Sequence, residues 1–186
     1  MVFMIPNNEI DDIAVEILKE VLKEAQDKWL EPDSKYKEYR RLQIDKRGSF
    51  GERFFSQVLS KIYFRRLSIE YKDGDQGDWD LKFNGMKFEI KTSSIDVNNK
   101  FQNEGIKKDG DYDGILFLGV TPNSLYIKFT LKSNIPFDIL HNRGDRKTGR
   151  GYKWDFKVKE MIKVKTLSDI QVEFEKHFSF ILKKGK

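Results

Sequence analysis

Asp78-Trp79-Asp80-Leu81-Lys82-Phe83-Asn84-Gly85-Met86-Lys87-Phe88-Glu89-Ile90-Lys91-Thr92 is the stretch from which the fold of this chain is read. Asn84-Gly85 stands between two alternating runs, and this dipeptide suits a two-residue type I′ turn because both central residues need positive φ. Counting outward from the turn pairs Phe83 with Met86, Lys82 with Lys87, Leu81 with Phe88, Asp80 with Glu89, Trp79 with Ile90 and Asp78 with Lys91. Side chains alternate between the faces of a strand. One face of the hairpin is then Trp79, Leu81, Phe83, Met86, Phe88 and Ile90, and the other Asp78, Asp80, Lys82, Lys87, Glu89 and Lys91.

This register sets Asp80 opposite Glu89, in the type of pair where Cα atoms are about 4.5 Å apart and like charges repel. A cation between them would remove the repulsion, and Mg²⁺ accepts one or two carboxylates together with waters and substrate phosphates. Lys91, two residues from Glu89 on the same face, can reach a nucleophilic water or the phosphate under attack. The plainer alternative is a solvated charged face whose lysines offset its acids as diagonal partners.

Outward from the hairpin, a helix is expected from about Ser49 to Phe64, with Phe50, Phe54, Phe55, Val58, Leu59 and Ile62 on its buried side, and a short strand from Leu67 to Tyr71. After the hairpin, Val97 to Gly105 reads as a short helix. Gly114 to Val120 reads as a buried strand, with Leu125 to Leu131 pairing to it. Near the start, Ile10, Ile13, Ala14, Ile17, Leu18, Val21, Leu22, Ala25 and Trp29 recur at helical spacing, with Asn8 as N-cap and Pro32 as stop. Tyr36 to Arg47 then forms a basic, aromatic connection. The tail reads as a Gly-rich basic loop from His141 to Gly151, a strand-like segment from Tyr152 to Val164, and a last helix. That helix has Ser168 as N-cap and Ile170, Phe174, Phe178 and Ile181 on one face.

Over this core the chain resembles the PD-(D/E)xK nuclease superfamily, type II restriction endonucleases in particular. The resemblance implies an α/β fold with a restriction-endonuclease-like core: a helix, a three-strand antiparallel meander, a helix and a further strand, in a mixed central sheet. It rests on Asp80 in the second strand of the meander and on Glu89-Ile90-Lys91 in the third. Glu52, in Gly51-Glu52-Arg53-Phe54-Phe55, is similar to the acidic residue that many members carry on the preceding helix. The proline that names the motif is absent, since Trp79 precedes Asp80, and Asp78 is a second candidate for the first acidic role. By this resemblance Asp80, Glu89 and Glu52 are metal ligands for Mg²⁺ or Mn²⁺, Lys91 acts on the attacking water, and Ser93 and Gln102 line a DNA cleft. The activity implied is hydrolysis of phosphodiester bonds in double-stranded DNA, as a sequence-specific enzyme working as a homodimer. A structure-specific repair nuclease or junction resolvase of the same fold, and a non-catalytic DNA-binding module, are the alternatives.

The 186 residues are expected to form one domain, with a helical arm over 1–46, a catalytic core over 47–132 and a basic extension over 133–186. The formal charge of +5 favours a polyanionic partner. The most basic stretch, from His141 to Lys165, offers Arg143, Arg146, Lys147, Arg150 and Lys153 for DNA recognition, with Arg forks suited to guanine edges. There is no cysteine, which excludes thiol nucleophiles, disulfides and Cys-ligated zinc. His141-Asn142 lacks the surroundings of an HNH site, and His177 reads as a half-buried packing residue. No glycine-rich nucleotide loop or Ser-hydrolase elbow is present, so no nucleotide cofactor is expected. The apolar start, Met1 to Pro6, is too short for a signal peptide and no run suits a membrane span, so a cytoplasmic location is expected.

Overall fold

The computed structural model describes residues 31, 33–63, 69–71, 77–144 and 151–182. The expected N-terminal helix lies outside the described residues, as do Arg146, Lys147 and Arg150. Two helices, α1 (Lys37–Arg41) and α2 (Ile44–Ile62), lead into strands β1 (Ile69–Tyr71), β2 (Leu81–Phe83), β3 (Met86–Ser94), β4 (Lys100–Ile106), β5 (Gly114–Val120) and β6 (Leu125–Leu131). β7 (His141–Asn142), β8 (Tyr152–Lys157), β9 (Ile162–Val164) and the helix α3 (Leu167–Leu182) complete them. Strands β1-β2-β3-β5-β6-β9 form a six-stranded sheet and β4-β8-β7 a smaller one of three. The large sheet is mixed, because β3 and β5 run parallel while its other neighbours are antiparallel.

The sheet has a helical layer on one face and the small sheet on the other. Leu81, Phe83, Phe88, Leu116, Leu118, Ile127 and Phe129 join α2 (Phe55, Leu59) and α3 (Ile170, Phe174, Phe178, Ile181) in one core. Ile115 and Phe117 join Phe101, Ile106 and Phe156 of the small sheet in a second. β5 is therefore covered on both faces, which is why Gly114 to Val120 reads as an unbroken apolar run instead of an alternating one. The Phe174 ring on α3 meets Phe83, Phe88 and Phe129 at centroid distances of 5.2, 5.8 and 6.0 Å. Such aromatic pairs each add about 0.5–1.5 kcal/mol beyond the area they bury.

The hairpin has the expected turn, with φ of 48° at Asn84 and 86° at Gly85. The Asn84 amide also donates to the Ile181 carbonyl at 2.6 Å, satisfying one of the orphan carbonyls at the end of α3 and pinning the hairpin tip to it. The first three predicted pairs, Phe83 with Met86, Lys82 with Lys87 and Leu81 with Phe88, are present. Beyond Leu81 the ladder ends. Trp79 packs on the second core, on the other side of the sheet from Leu81, so the predicted apolar face loses that residue.

Several further expectations are corrected. Val97 to Gly105 is not a helix but holds a turn and most of β4. Asp96 accepts backbone N–H bonds from Asn98 and Lys100, both at 2.8 Å, and Asn99 has φ of 55°, so the chain reverses instead of coiling. Phe101 and Asn103 are then buried while Gln102 and Glu104 are exposed, a period of two. The connection from β3 to β5 thus passes through a strand where the family order implies a helix. α2 begins at Ile44, several residues before the predicted Ser49. The predicted segment from Tyr152 to Val164 is divided, β8 going to the small sheet and β9 to the large one. The last helix starts after Thr166, because the Asp169 carboxylate accepts the Thr166 backbone N–H at 2.7 Å, which places the N-cap at Thr166 and not Ser168. With β9 and α3 built into the main core, only part of 133–186 is an extension.

α2 approaches β3 at Gly51, where an added Cβ would stand 1.8 Å from Thr92 Oγ1. Gly51→Ala should therefore destabilise the fold by about 1–3 kcal/mol through overpacking, against a helix-propensity gain of about 1 kcal/mol. Thr92→Ala in the same chain should recover most of the loss. Urea unfolding of the two single variants and the double variant checks this, and additive effects would show that the two positions are not in contact.

Candidate active site

The charged face of β3 points toward the small sheet, not toward α2. Glu89 and Lys91 stand on this face with Ser93, two residues apart at each step. The Asp80 carboxylate reaches the same strand, accepting the Ile90 backbone N–H at 2.7 Å through Oδ2, while the Asp80 N–H donates to the Phe88 carbonyl at 2.9 Å. A side chain thus takes the ladder position that a backbone carbonyl would occupy, and this fixes the carboxylate beside Glu89. The predicted ladder pair of Asp80 with Glu89 is not formed, and Asp80 acts on Glu89 through its charge.

Glu89 has only 15% of its side chain exposed and forms an ion pair with Lys91, with Oε1 to Nζ at 2.5 Å. Burial pushes its carboxyl up to about 7, and the charge of Asp80 pushes in the same direction, while Lys91 and Lys107 oppose them. A cation placed between Asp80 and Glu89 would oppose both the burial and the repulsion that raise the Glu89 carboxyl. Among the described residues, no group of three or more His, Cys, Asp or Glu could hold a metal ion. Mg²⁺ does not need such a group, since one or two carboxylates serve when substrate phosphates and waters supply the other oxygens.

Asp78 stands apart from this pair. Its Oδ1 accepts Lys107 Nζ at 2.7 Å and its Oδ2 accepts the Asp111 N–H at 3.1 Å, and these contacts, Lys107 first, hold its carboxyl below the usual carboxylate range. It fastens the turn after β4 to the hairpin. The Tyr112 hydroxyl donates to the Lys107 carbonyl at 2.6 Å within that turn, and burial, with the charges of Glu89 and Asp78, raises the phenol above its ordinary value. Lys107 and Tyr112 were not singled out from sequence.

β4 bends into the site at Gly105. The pairing of β4 with β8 shifts between Asn103 and Ile106, and Gly105 lies there with φ of 72°. A Cβ on Gly105 would stand 3.6 Å from Lys91 Nζ, so the bulge passes directly beside that ammonium. Bulges of this type re-aim a strand, and here the bend carries Lys107 over the hairpin.

Of the other predicted residues, Glu52 lies on α2, on the helical side of the sheet, next to Gly51 and with Oε1 directed back over Gly48. The largest charges acting on Glu89 are Lys91, Asp80 and Lys107, and Glu52 is not one of them. Ser93 is buried and donates to Asn103 Oδ1 at 3.1 Å, and Asn103 in turn donates to the Trp154 carbonyl at 3.2 Å. It joins the two sheets. Gln102 donates to Asp96 at 2.7 Å and accepts from Lys153 Nζ at 2.7 Å, while Lys153 also pairs with Asp155 at 3.1 Å. Arg143 pairs with Glu104 at 2.8 Å. The structure thus gathers Gln102, Lys153 and Arg143 around the outer side of the small sheet. His141 is exposed, and His177 is half-buried with its Nε2 3.1 Å from Glu173 Oε1. Among the described residues no helix is long and apolar enough to cross a membrane.

No protein-family profile matches the chain, and no curated protein matches it. Among solved structures it is similar to the bacterial homing endonuclease I-Ssp6803I, at 14% identity and a TM-score of 0.42, over 77% of this chain and 94% of that one.

Proposed function

We propose that this chain is a metal-dependent endonuclease of the PD-(D/E)xK type, hydrolysing phosphodiester bonds in double-stranded DNA. The observation that carries the reading is the Asp80 carboxylate, fixed on the Ile90 N–H, acting on the half-buried Glu89–Lys91 pair. Asp80 and Glu89 would hold Mg²⁺ or Mn²⁺, which when bound lowers the pKa of a water and offsets charge on a phosphate. Lys91 holds its ammonium next to Glu89 and beside Gly105, where it orients the attacking water and stabilises the charge that develops on the phosphate. The outer side of the small sheet, with Gln102, Lys153 and Arg143, provides cationic and amide groups of the kinds that contact phosphates and base edges. For a palindromic site two such centres related by a two-fold axis are needed, so the reading extends to a homodimeric restriction enzyme.

The test is incubation with a long DNA of mixed sequence, with and without Mg²⁺ or Mn²⁺, followed by sequencing of the fragment ends. Discrete sequence-defined ends are expected. Ends only at branches or mismatches would point to a structure-specific enzyme of the same chemistry. Absence of cutting with either metal, by protein that binds the DNA, would overturn the nuclease reading.

A further inference from the structure

We propose that Lys107 is a phosphate-binding residue of this site, holding a backbone phosphate of the bound DNA at its mouth. The inference rests on the endonuclease reading and adds to it a residue from outside the Asp80 and Glu89-Ile90-Lys91 motif. Lys107 follows the Gly105 bulge, and its ammonium is drawn over the hairpin by Asp78 at 2.7 Å. Its side chain is 51% exposed, whereas Lys91 has only 21% exposed. The two lysines therefore differ in what they can reach: Lys91 lies inside against Glu89, and Lys107 lies at the rim.

Lys107 is also among the charges that act on Glu89, so it is close enough to the carboxylates for its charge to register there. An ammonium carries three N–H donors, so it can serve more than one acceptor at a time. Asp78 restricts the flexible stem before DNA arrives, which lowers the entropy lost on binding. The turn behind Lys107 is itself fastened, by the Tyr112 hydroxyl on the Lys107 carbonyl and the Asp111 N–H on Asp78. A polyanion approaching Asp80 and Glu89 meets this rim cation on its way, and a contact of this kind is blind to base sequence.

The experiment measures DNA affinity with Ca²⁺ in place of Mg²⁺ across a salt series, for wild type, Lys107→Gln and Lys107→Arg, on two unrelated sequences. Lys107→Gln should weaken binding to both sequences alike and reduce the slope of log affinity against log salt by about one. The ratio of wild-type to variant affinity should shrink about three- to fourfold between about 50 and 200 mM salt. Lys107→Arg should restore the slope, and the melting temperature of the Gln variant should fall no further than the loss of one exposed ion pair accounts for. An unchanged slope and affinity in Lys107→Gln overturns the proposal, as does a loss restricted to one sequence. If the wild type binds DNA but does not cut it with Mg²⁺ or Mn²⁺, the endonuclease reading fails while the salt slope still reports on Lys107. If the wild type binds no DNA, both fall.

Discussion

Replacing Lys91 by Ala should slow DNA cleavage by about two to three orders of magnitude while leaving DNA binding close to wild type, the effect typical of losing one preorganised electrostatic group. Lys91 is mostly buried and paired with Glu89 at 2.5 Å, so its removal also leaves Glu89 facing Asp80 without its nearest cation. That second consequence requires a control. Glu89 becomes easier to protonate once Lys91 is gone, so a rate loss could reflect a poorer metal ligand instead of a missing group at the phosphate. Cleavage measured by single turnover across a Mg²⁺ series separates the two. A ligand defect is recovered at high Mg²⁺, whereas loss of a group acting on the water or the phosphate persists at saturation. Binding measured with Ca²⁺ on the same fragment completes the comparison. Normal binding with cleavage within a few-fold of wild type would remove Lys91 from the mechanism.

The hairpin was legible because its signals are local. Asn84-Gly85 fixes the turn, and alternation fixes which of Leu81, Phe83, Met86, Phe88 and Ile90 are buried. Legibility ended at Asp80, where a side chain replaces a backbone acceptor for the Ile90 N–H, and no periodicity encodes that exchange. β4 was missed for a different reason. Its inward positions are Phe101 and Asn103, and a buried Asn held by Ser93 and the Trp154 carbonyl reads as polar in sequence, which masks the period of two. The reversal at Asp96 was visible in Asp96-Val97-Asn98-Asn99 as turn chemistry but lost to the helical reading.

Lys107 was beyond reach of any local rule. Its relation to the site depends on Asp78, 29 positions earlier, and on the bulge in the pairing of β4 with β8. Asp78, by contrast, stands in the sequence as a competitor of Asp80. The structure separates them by what their oxygens do: Asp78 takes Lys107 and the Asp111 N–H, and Asp80 takes β3. Both acids precede β2, which begins at Leu81, and the difference between their contacts comes only from tertiary structure.

Glu89→Gln should abolish metal-dependent cleavage and at the same time make the metal-free protein more stable above neutral pH. Burial and Asp80 raise the folded-state pKa of Glu89 to about 7 from an ordinary 4.5, so between these values the folded chain holds a proton that the unfolded chain has released. The unfolded state then binds fewer protons than the native one, and the contribution of this group to stability falls as pH rises from about 4.5 to about 7. Above that window the ionised carboxylate is a net cost to the fold. Gln keeps the shape and the neutral state at every pH, so the variant should melt higher than wild type at pH 8 in chelator, with the difference closing toward pH 5. Adding Ca²⁺ or Mg²⁺ should reverse the order, because the ionised wild-type carboxylate gains a cation that Gln cannot hold, and binding to the native state alone raises its melting temperature. Asp80→Asn should blunt the same metal response and also lower the Glu89 pKa by removing a neighbouring negative charge. A Gln variant that melts below wild type at every pH would show that ionised Glu89 stabilises the fold through Lys91, and a Gln variant that still cuts DNA would show that Glu89 is not a metal ligand.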